Sequence, residues 1–148
     1  MNKIRINRVA SAILFFAFLF LEGGCGKQRA LRLLNGKRWK VTDVTPPRNG
    51  NFDIEDQNQA EAYKEGVYRN AWFEFSPTGI FRASFDGKVD SGKYQVSGNG
   101  KLISLYPLHA DTIYEQIQVQ RLDTGELDFN TLIASFYMTL HCKPIPHP

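Results

Sequence analysis

Cysteine, histidine, tryptophan and methionine are all scarce in this sequence: two Cys, three His, two Trp and two Met among 148 residues. Two cysteines, Cys25 and Cys142, cannot build the disulfide framework that staples many small exported domains. His109, His141 and His147, with Cys142 as the one nearby thiol, fall short of the four ligands that structural zinc takes. No Gly-x-Ser-x-Gly elbow occurs. Gly23-Gly24-Cys25-Gly26 reads as a processing site and Ser97-Gly98-Asn99-Gly100 as a hairpin turn. Neither is read as opening a helix, so no phosphate cradle is supported. Long apolar runs are missing too. The longest, residues 9–21, spans thirteen positions interrupted by Ser11, short of the roughly 20 that a spanning helix needs.

That run is informative in another way. Lys3, Arg5 and Arg8 precede it with no acid among them, and Glu22-Gly23-Gly24-Cys25 follows it. A basic start, a short apolar stretch and small residues before a cut are the pattern of a secretory signal peptide. The Cys at its end resembles the lipobox of bacterial lipoproteins, with Glu22 where Leu is usual. The resemblance implies cleavage after Gly24 and acylation of Cys25, which becomes the new N-terminus. Ordinary cleavage near Gly24 would instead leave Cys25 a thiol, and a Cys25–Cys142 bridge would then be conceivable. Stable anchoring takes more than one acyl chain, and a triacylated N-terminus supplies that. Gly26, where an Asp would signal retention, points by lipoprotein analogy to the outer membrane. Lys27, Gln28 and Arg29, in place of an acidic cluster, point to its periplasmic face.

Processing also changes the charge. Removing residues 1–24 takes away Lys3, Arg5, Arg8 and Glu22, leaving 15 basic and 14 acidic residues. The whole-chain pI of about 8.9 therefore reflects the leader, and no nucleic-acid footprint remains. Lys27, Arg29, Arg32, Lys37, Arg38 and Lys40 all precede the first acid, Asp43. They form either a solvated tether and helix face or a patch facing anionic lipid.

The rest is one domain, too short for two. Residues 28–35 carry Ala30, Leu31, Leu33 and Leu34 on one stripe and stop at Asn35-Gly36, predicting a short helix. A β-rich run at 38–45 ends at Pro46-Pro47. Residues 55–65 predict a second helix with a thin apolar stripe, lying across an opening or a face. Beyond Asn70 come runs at 71–76, 80–86, 93–97, 101–106, 112–122, 126–130 and 134–141. Turn formers separate them: Ser76-Pro77-Thr78-Gly79, Asp90-Ser91-Gly92, Ser97-Gly98-Asn99-Gly100 and Asp123-Thr124-Gly125. Eight strands joined by hairpins form a meander. Its expected closure is an all-β, eight-stranded antiparallel up-and-down barrel, which removes both edges; an open sandwich is the alternative. One helix precedes the barrel and one separates strands 1 and 2. The divisions are a signal peptide (1–24), a lipidated tether and helix (25–35), the barrel (36–142) and a Pro-rich tail (143–148).

Leu34-Asn35-Gly36-Lys37-Arg38-Trp39-Lys40-Val41 runs a short helix into a Gly…Trp first strand. Trp72-Phe73-Glu74-Phe75-Ser76-Pro77-Thr78-Gly79-Ile80-Phe81, Gly92-Lys93-Tyr94-Gln95-Val96 and Ile117-Gln118-Val119-Gln120-Arg121-Leu122 follow. Together these segments resemble the bacterial lipocalin-like domains of envelope lipoproteins. Lipocalins carry Gly-x-Trp, one residue shorter than Gly36-Lys37-Arg38-Trp39, and a Thr-Asp-Tyr motif that is missing here. The resemblance implies a barrel that is either packed solid or holds one small ligand.

The aromatic content favours a ligand with an apolar body, although the same rings also serve to fill a small core. Candidate ligand-binding residues are Trp39, Trp72, Phe75, Phe81, Tyr94, Glu115 and Phe136. Glu115 is in phase with Ile113, Ile117 and Val119. If it points inward it anchors a polar group of the ligand or pairs with Arg82 or Arg121; a strand twist or bulge would turn it outward. Cys142 alternates with Phe136, Met138 and Leu140 and is read as a buried, inert thiol. The expectation is a non-enzymatic, lipid-anchored envelope protein without cofactor or metal, binding a small apolar molecule. The alternative is an interaction module with a filled barrel and an envelope protein as partner.

Overall fold

A computed structural model describes residues 25–46, 54–133 and 135–146. The leader 1–24, Pro47 and His147 lie outside the described residues. Helix α1 (Cys25–Leu34) leads into β1 (Arg38–Thr45), and α2 (Ile54–Glu65) intervenes before β2 (Trp72–Phe75). Then follow β3 (Ile80–Phe85), β4 (Lys88–Val96), β5 (Leu102–Pro107), β6 (Glu115–Leu122), β7 (Leu127–Ile133) and β8 (Phe136–Ile145). Each strand pairs antiparallel with the next in sequence, and β8 returns to β1, so the sheet is a closed barrel. The meander and its closure are as the sequence predicts.

Turn chemistry sets the register. At Ser76–Gly79 and Ser97–Gly100 the final glycine has positive φ and its N–H donates back to the serine carbonyl, at 3.0 and 2.9 Å. At 123–126 the Asp123 carboxylate accepts from the Gly125 and Glu126 amides at 2.8 and 2.9 Å. The β3–β4 hairpin departs from expectation. Its turn is Asp86-Gly87, both at positive φ (48° and 74°), the pair that a two-residue type I′ turn demands. Asp90-Ser91-Gly92 instead lies inside β4, which starts at Lys88. Gly92 is a packing glycine: a Cβ there would sit 2.3 Å from the Tyr106 carbonyl oxygen and 2.5 Å from the Phe81 ring.

Other boundaries shift for physical reasons. α1 begins at Cys25, three residues earlier than expected, because its first turn docks on the β4–β5 turn: the Lys27 amide donates to the Gly98 carbonyl at 3.1 Å. β6 starts at Glu115 and not at 112, which leaves Ile113 exposed in the preceding loop. β8 runs on to Ile145, since Lys143, Pro144 and Ile145 pair with Lys40, Trp39 and Arg38. The Pro-rich stretch is therefore strand as far as Ile145.

The inward-facing side chains form a single core in which Leu34, Trp39, Leu127 and Leu140 are wholly buried. One end of the barrel carries α1 and the connections at 76–79, 97–101 and 123–126. Trp39 seals it, its indole N–H donating to the Leu34 carbonyl at 3.2 Å. The opposite end carries the segment holding α2, the Asp86-Gly87 turn and the 108–114 loop. α2 buries only Ala60. It leans on β1, where the Lys64 ammonium sits 3.4 Å from the Asp43 carboxylate.

Two substitutions test the seal at the first end. Trp39→Phe keeps a ring but strands the Leu34 carbonyl, and is expected to cost about 1–3 kcal/mol of unfolding free energy. Trp39→Ala is expected to cost about 3–5 kcal/mol. Urea denaturation measures both.

Candidate functional site: an aromatic cavity at the α2 end of the barrel

Near the α2 end the core does not fill completely. A cavity of about 150 Å³ remains, lined by residues of β2 to β8 with Tyr68 and Tyr114. Its rings touch in sequence, edge to face. Tyr68 meets Phe85 at 5.7 Å between centroids, Phe85 meets Phe73 at 5.5 Å, and Phe73 meets Phe129 at 5.3 Å. Contacts of this kind contribute roughly 0.5–1.5 kcal/mol each beyond burial. Phe81 and Tyr114 complete the wall, their rings tilted at 6.3 Å.

Two carboxylates face this space, Glu115 from β6 and Asp90 from β4. Glu115 points inward and accepts a hydrogen bond from the Thr131 hydroxyl, which is itself buried on β7. No twist or bulge turns it outward: its side chain lines the cavity beside Thr131. Neither suggested arginine is its partner, since Arg121 binds Asp123 and Glu126 and Arg82 is exposed on β3. Its charge reaches the neighbouring phenols. Burial, and secondly Glu115, pushes the Tyr114 hydroxyl up to about 12. The same two causes, in the same order, raise Tyr68 further.

Of the seven candidates, the structure brings Phe81 and Glu115 together in the cavity wall. The other five lie outside it. Trp39 seals the α1 end, with the Lys37 ammonium 5.2 Å from its ring centroid. Phe75 stacks edge-on against Tyr94 at 5.1 Å. The Tyr94 hydroxyl donates to the Asn35 side-chain oxygen at 2.7 Å, with the Ser76 carbonyl at 2.9 Å. Trp72 is half-buried under the Arg38 guanidinium, 4.1 Å from its centroid, and Arg38 pairs with Glu74 at 3.2 Å. Phe136 packs half-buried against the core. Of the other wall residues, Phe73, Phe85, Tyr114 and Phe129 belonged to the general aromatic content without being singled out, and Tyr68, Asp90 and Thr131 were missed. Asp90 was assigned to a turn, and Tyr68 lies in the irregular stretch after α2. Thr131 alternates with Leu127 and Phe129, and that period marks it as inward.

Two features lie elsewhere. A shallow polar depression of about 710 Å³ borders the same end, lined by Glu65, Arg69, Asn70 and Asp86 among others. On the outer wall, Thr45 Oγ1 lies 2.9 Å from His141 Nε2, and His141 Nδ1 lies 2.9 Å from Asp128. These are the group types that activate a hydroxyl in acyl-transfer enzymes. Here they bridge β1, β8 and β7 and none lines the cavity. Among the described residues no group of three or more His, Cys, Asp or Glu is placed to hold a metal ion. Cys25 and Cys142 are both free thiols, the first exposed and the second buried.

No family model matches the chain, and no curated protein matches it. Among solved structures the barrel is similar to a DUF4847 family protein from Bacteroides vulgatus ATCC 8482, a crystal structure at 1.00 Å resolution. The two share 12% identity over 80% of this chain and 99% of that one, with a TM-score of 0.52. The likeness is one of fold.

Burial raises the Cys142 thiol well above its ordinary 9.0, and the nearby Asp128 adds to the effect. The unfolded chain therefore releases that proton first, so stability holds below pH 9.0 and falls above it. The expected slope is about 1.4 kcal/mol per pH unit for this group. Urea titrations on both sides of that pH should show the fall, and Cys142→Ala should remove this part of it.

Proposed function

We propose that this chain is a lipocalin-like envelope lipoprotein, anchored through Cys25 and non-enzymatic, that binds one small molecule with an apolar body. The observation that carries the reading is the aromatic-walled cavity with Glu115 as its inward polar anchor. Ligand sites have this composition, mostly apolar with a few directed polar groups. An apolar cavity near 150 Å³ accommodates a benzene-sized group, so the ligand is smaller than a fatty acid or a haem. The barrel sealed at one end by a helix and Trp39 supports the lipocalin-like label.

The anchor and the cavity lie at opposite ends. Cys25 opens α1, which packs against the β4–β5 turn, and Lys27, Arg29 and Arg32 are exposed on the same helix. An acylated Cys25 would hold this basic end on the membrane surface, outer membrane and periplasmic face being the assignment we favour. The cavity would then face away from it.

A second reading, a docking module for an envelope protein, is favoured by apolar side chains exposed around the cavity end. Val67, Val89, Leu108, Tyr114, Leu132 and Tyr137 are examples, and grouped exposed apolar surface marks interaction sites.

Two measurements test the proposal. Native mass spectrometry of residues 25–148 carrying Cys25→Ser, after incubation with a bacterial envelope extract, is expected to show an adduct on the order of 100 Da that is lost on denaturation. A bare mass at every condition would favour the docking module. Full-length chain expressed in a bacterium fed alkyne-palmitate is expected to become labelled, and Cys25→Ser to abolish the label. Persistent labelling of that variant, or none of the parent, would remove the anchor.

A further inference from the structure

The electrostatics of the cavity are one-sided. Among the described residues its lining holds two carboxylates, Asp90 and Glu115, and no lysine, arginine or histidine. Among the described residues Glu115 has no ion-pair partner: the Thr131 hydroxyl donates to it. Around it stand six rings, Tyr68, Phe73, Phe81, Phe85, Tyr114 and Phe129. Ring faces carry negative potential and attract cations within about 6 Å of their centroids. A carboxylate in a low-dielectric surround does the same more strongly.

We infer that the ligand of this cavity is a small organic cation, an amine with an apolar body about the size of one ring, whose ammonium is held between Glu115 and Asp90. This rests on the ligand-binding reading above and specifies the class of molecule. A neutral alcohol could donate one hydrogen bond to Glu115 but would leave both negative charges unmatched. A carboxylic acid would add a third. An ammonium supplies up to three donors and the opposite charge, and its apolar remainder lies against the edge-to-face ring chain. The upward push on both tyrosine hydroxyls, in which Glu115 is the second cause, reflects the same negative field. The two carboxylates also divide the task. Glu115 is partly buried within the wall, while Asp90 is exposed at the rim, where it meets an incoming cation first.

The test compares four probes of one shape, benzylammonium, benzyl alcohol, toluene and benzoate, by NMR titration of isotope-labelled residues 25–148. All eight strands of the barrel pair within this part of the chain. Benzylammonium is expected to bind at least about ten-fold more tightly than benzyl alcohol, a difference of about 1.4 kcal/mol, and benzoate not to bind. Glu115→Gln should erase that preference while toluene binding persists. Asp90→Asn, a change at an exposed position, should reduce the preference and serves as the second variant if Glu115→Gln does not fold. Equal affinity for the amine and the alcohol would overturn the cation inference and leave the cavity reading intact. Failure of all four probes to shift any cavity resonance at millimolar concentration would overturn both.

Discussion

The pairing of β1 with β8 is the constraint on which this structure depends. The other seven ladders join strands that are neighbours in sequence, six of them through short connections. The eighth brings together residues about a hundred apart. Thr42 donates its hydroxyl to the His141 carbonyl across 99 positions at 3.1 Å, beside a bulge between Val41 and Asp43. The Thr45–His141–Asp128 chain of hydrogen bonds then ties β1, β8 and β7 together on the outside. Without this seam the sheet would have two open edges, which invite pairing with other chains. It would also have no inside. The cavity and its inward carboxylate exist because the seam closes.

Closure divides the aromatic residues by height. Toward α1, Trp39, Phe75 and Tyr94 fill the barrel, with the Trp39 indole N–H donating to Leu34 and the Tyr94 hydroxyl to Asn35 and Ser76. Toward α2, the rings of Phe73, Phe85, Phe129 and Tyr68 meet edge-on and border the cavity. α2 contributes little to fill that space, because only Ala60 and part of Tyr63 reach the core. A thin-striped helix over one end and a well-packed helix under the other make the barrel asymmetric.

Much of this was legible in the sequence, and the parts that were not share a cause. Turn residues announced the hairpins, and alternation announced the inward faces of β3 and β8. Asp86-Gly87 escaped notice because Asp90-Ser91-Gly92, a few residues on, has the same composition; only packing shows that Gly92 is there to make room for Phe81. β8 appeared to end at His141, since prolines lie beyond it, yet Pro144 pairs opposite Trp39. For the site, phase raised Glu115 as a candidate but left its direction open between the interior and an outward turn; the Thr131 hydroxyl and the cavity wall decide it as inward. Composition could not distinguish rings that seal an end from rings that line a space. Trp39 and Phe81 look alike in sequence and differ only in which end of the barrel they occupy. Tyr68 had no period to reveal it, because it reaches the cavity from an irregular segment.

One close contact near the N-terminus has a mechanical consequence. A Cβ on Gly26 would lie 2.6 Å from the Asn99 carbonyl oxygen, and a Cβ on Gly100 would lie 2.6 Å from that of Gly26. The residue after Cys25 is therefore clamped backbone to backbone against the barrel, with no slack between them. Flexible linkers let a domain wander by about 5–6 Å times the square root of their length; here that length is nil. A barrel fixed at Cys25 would stand like a post, with its cavity held at roughly 25 Å, one tilted strand's height, above the point of attachment. Any molecule entering the cavity would then have to come to that distance from the surface.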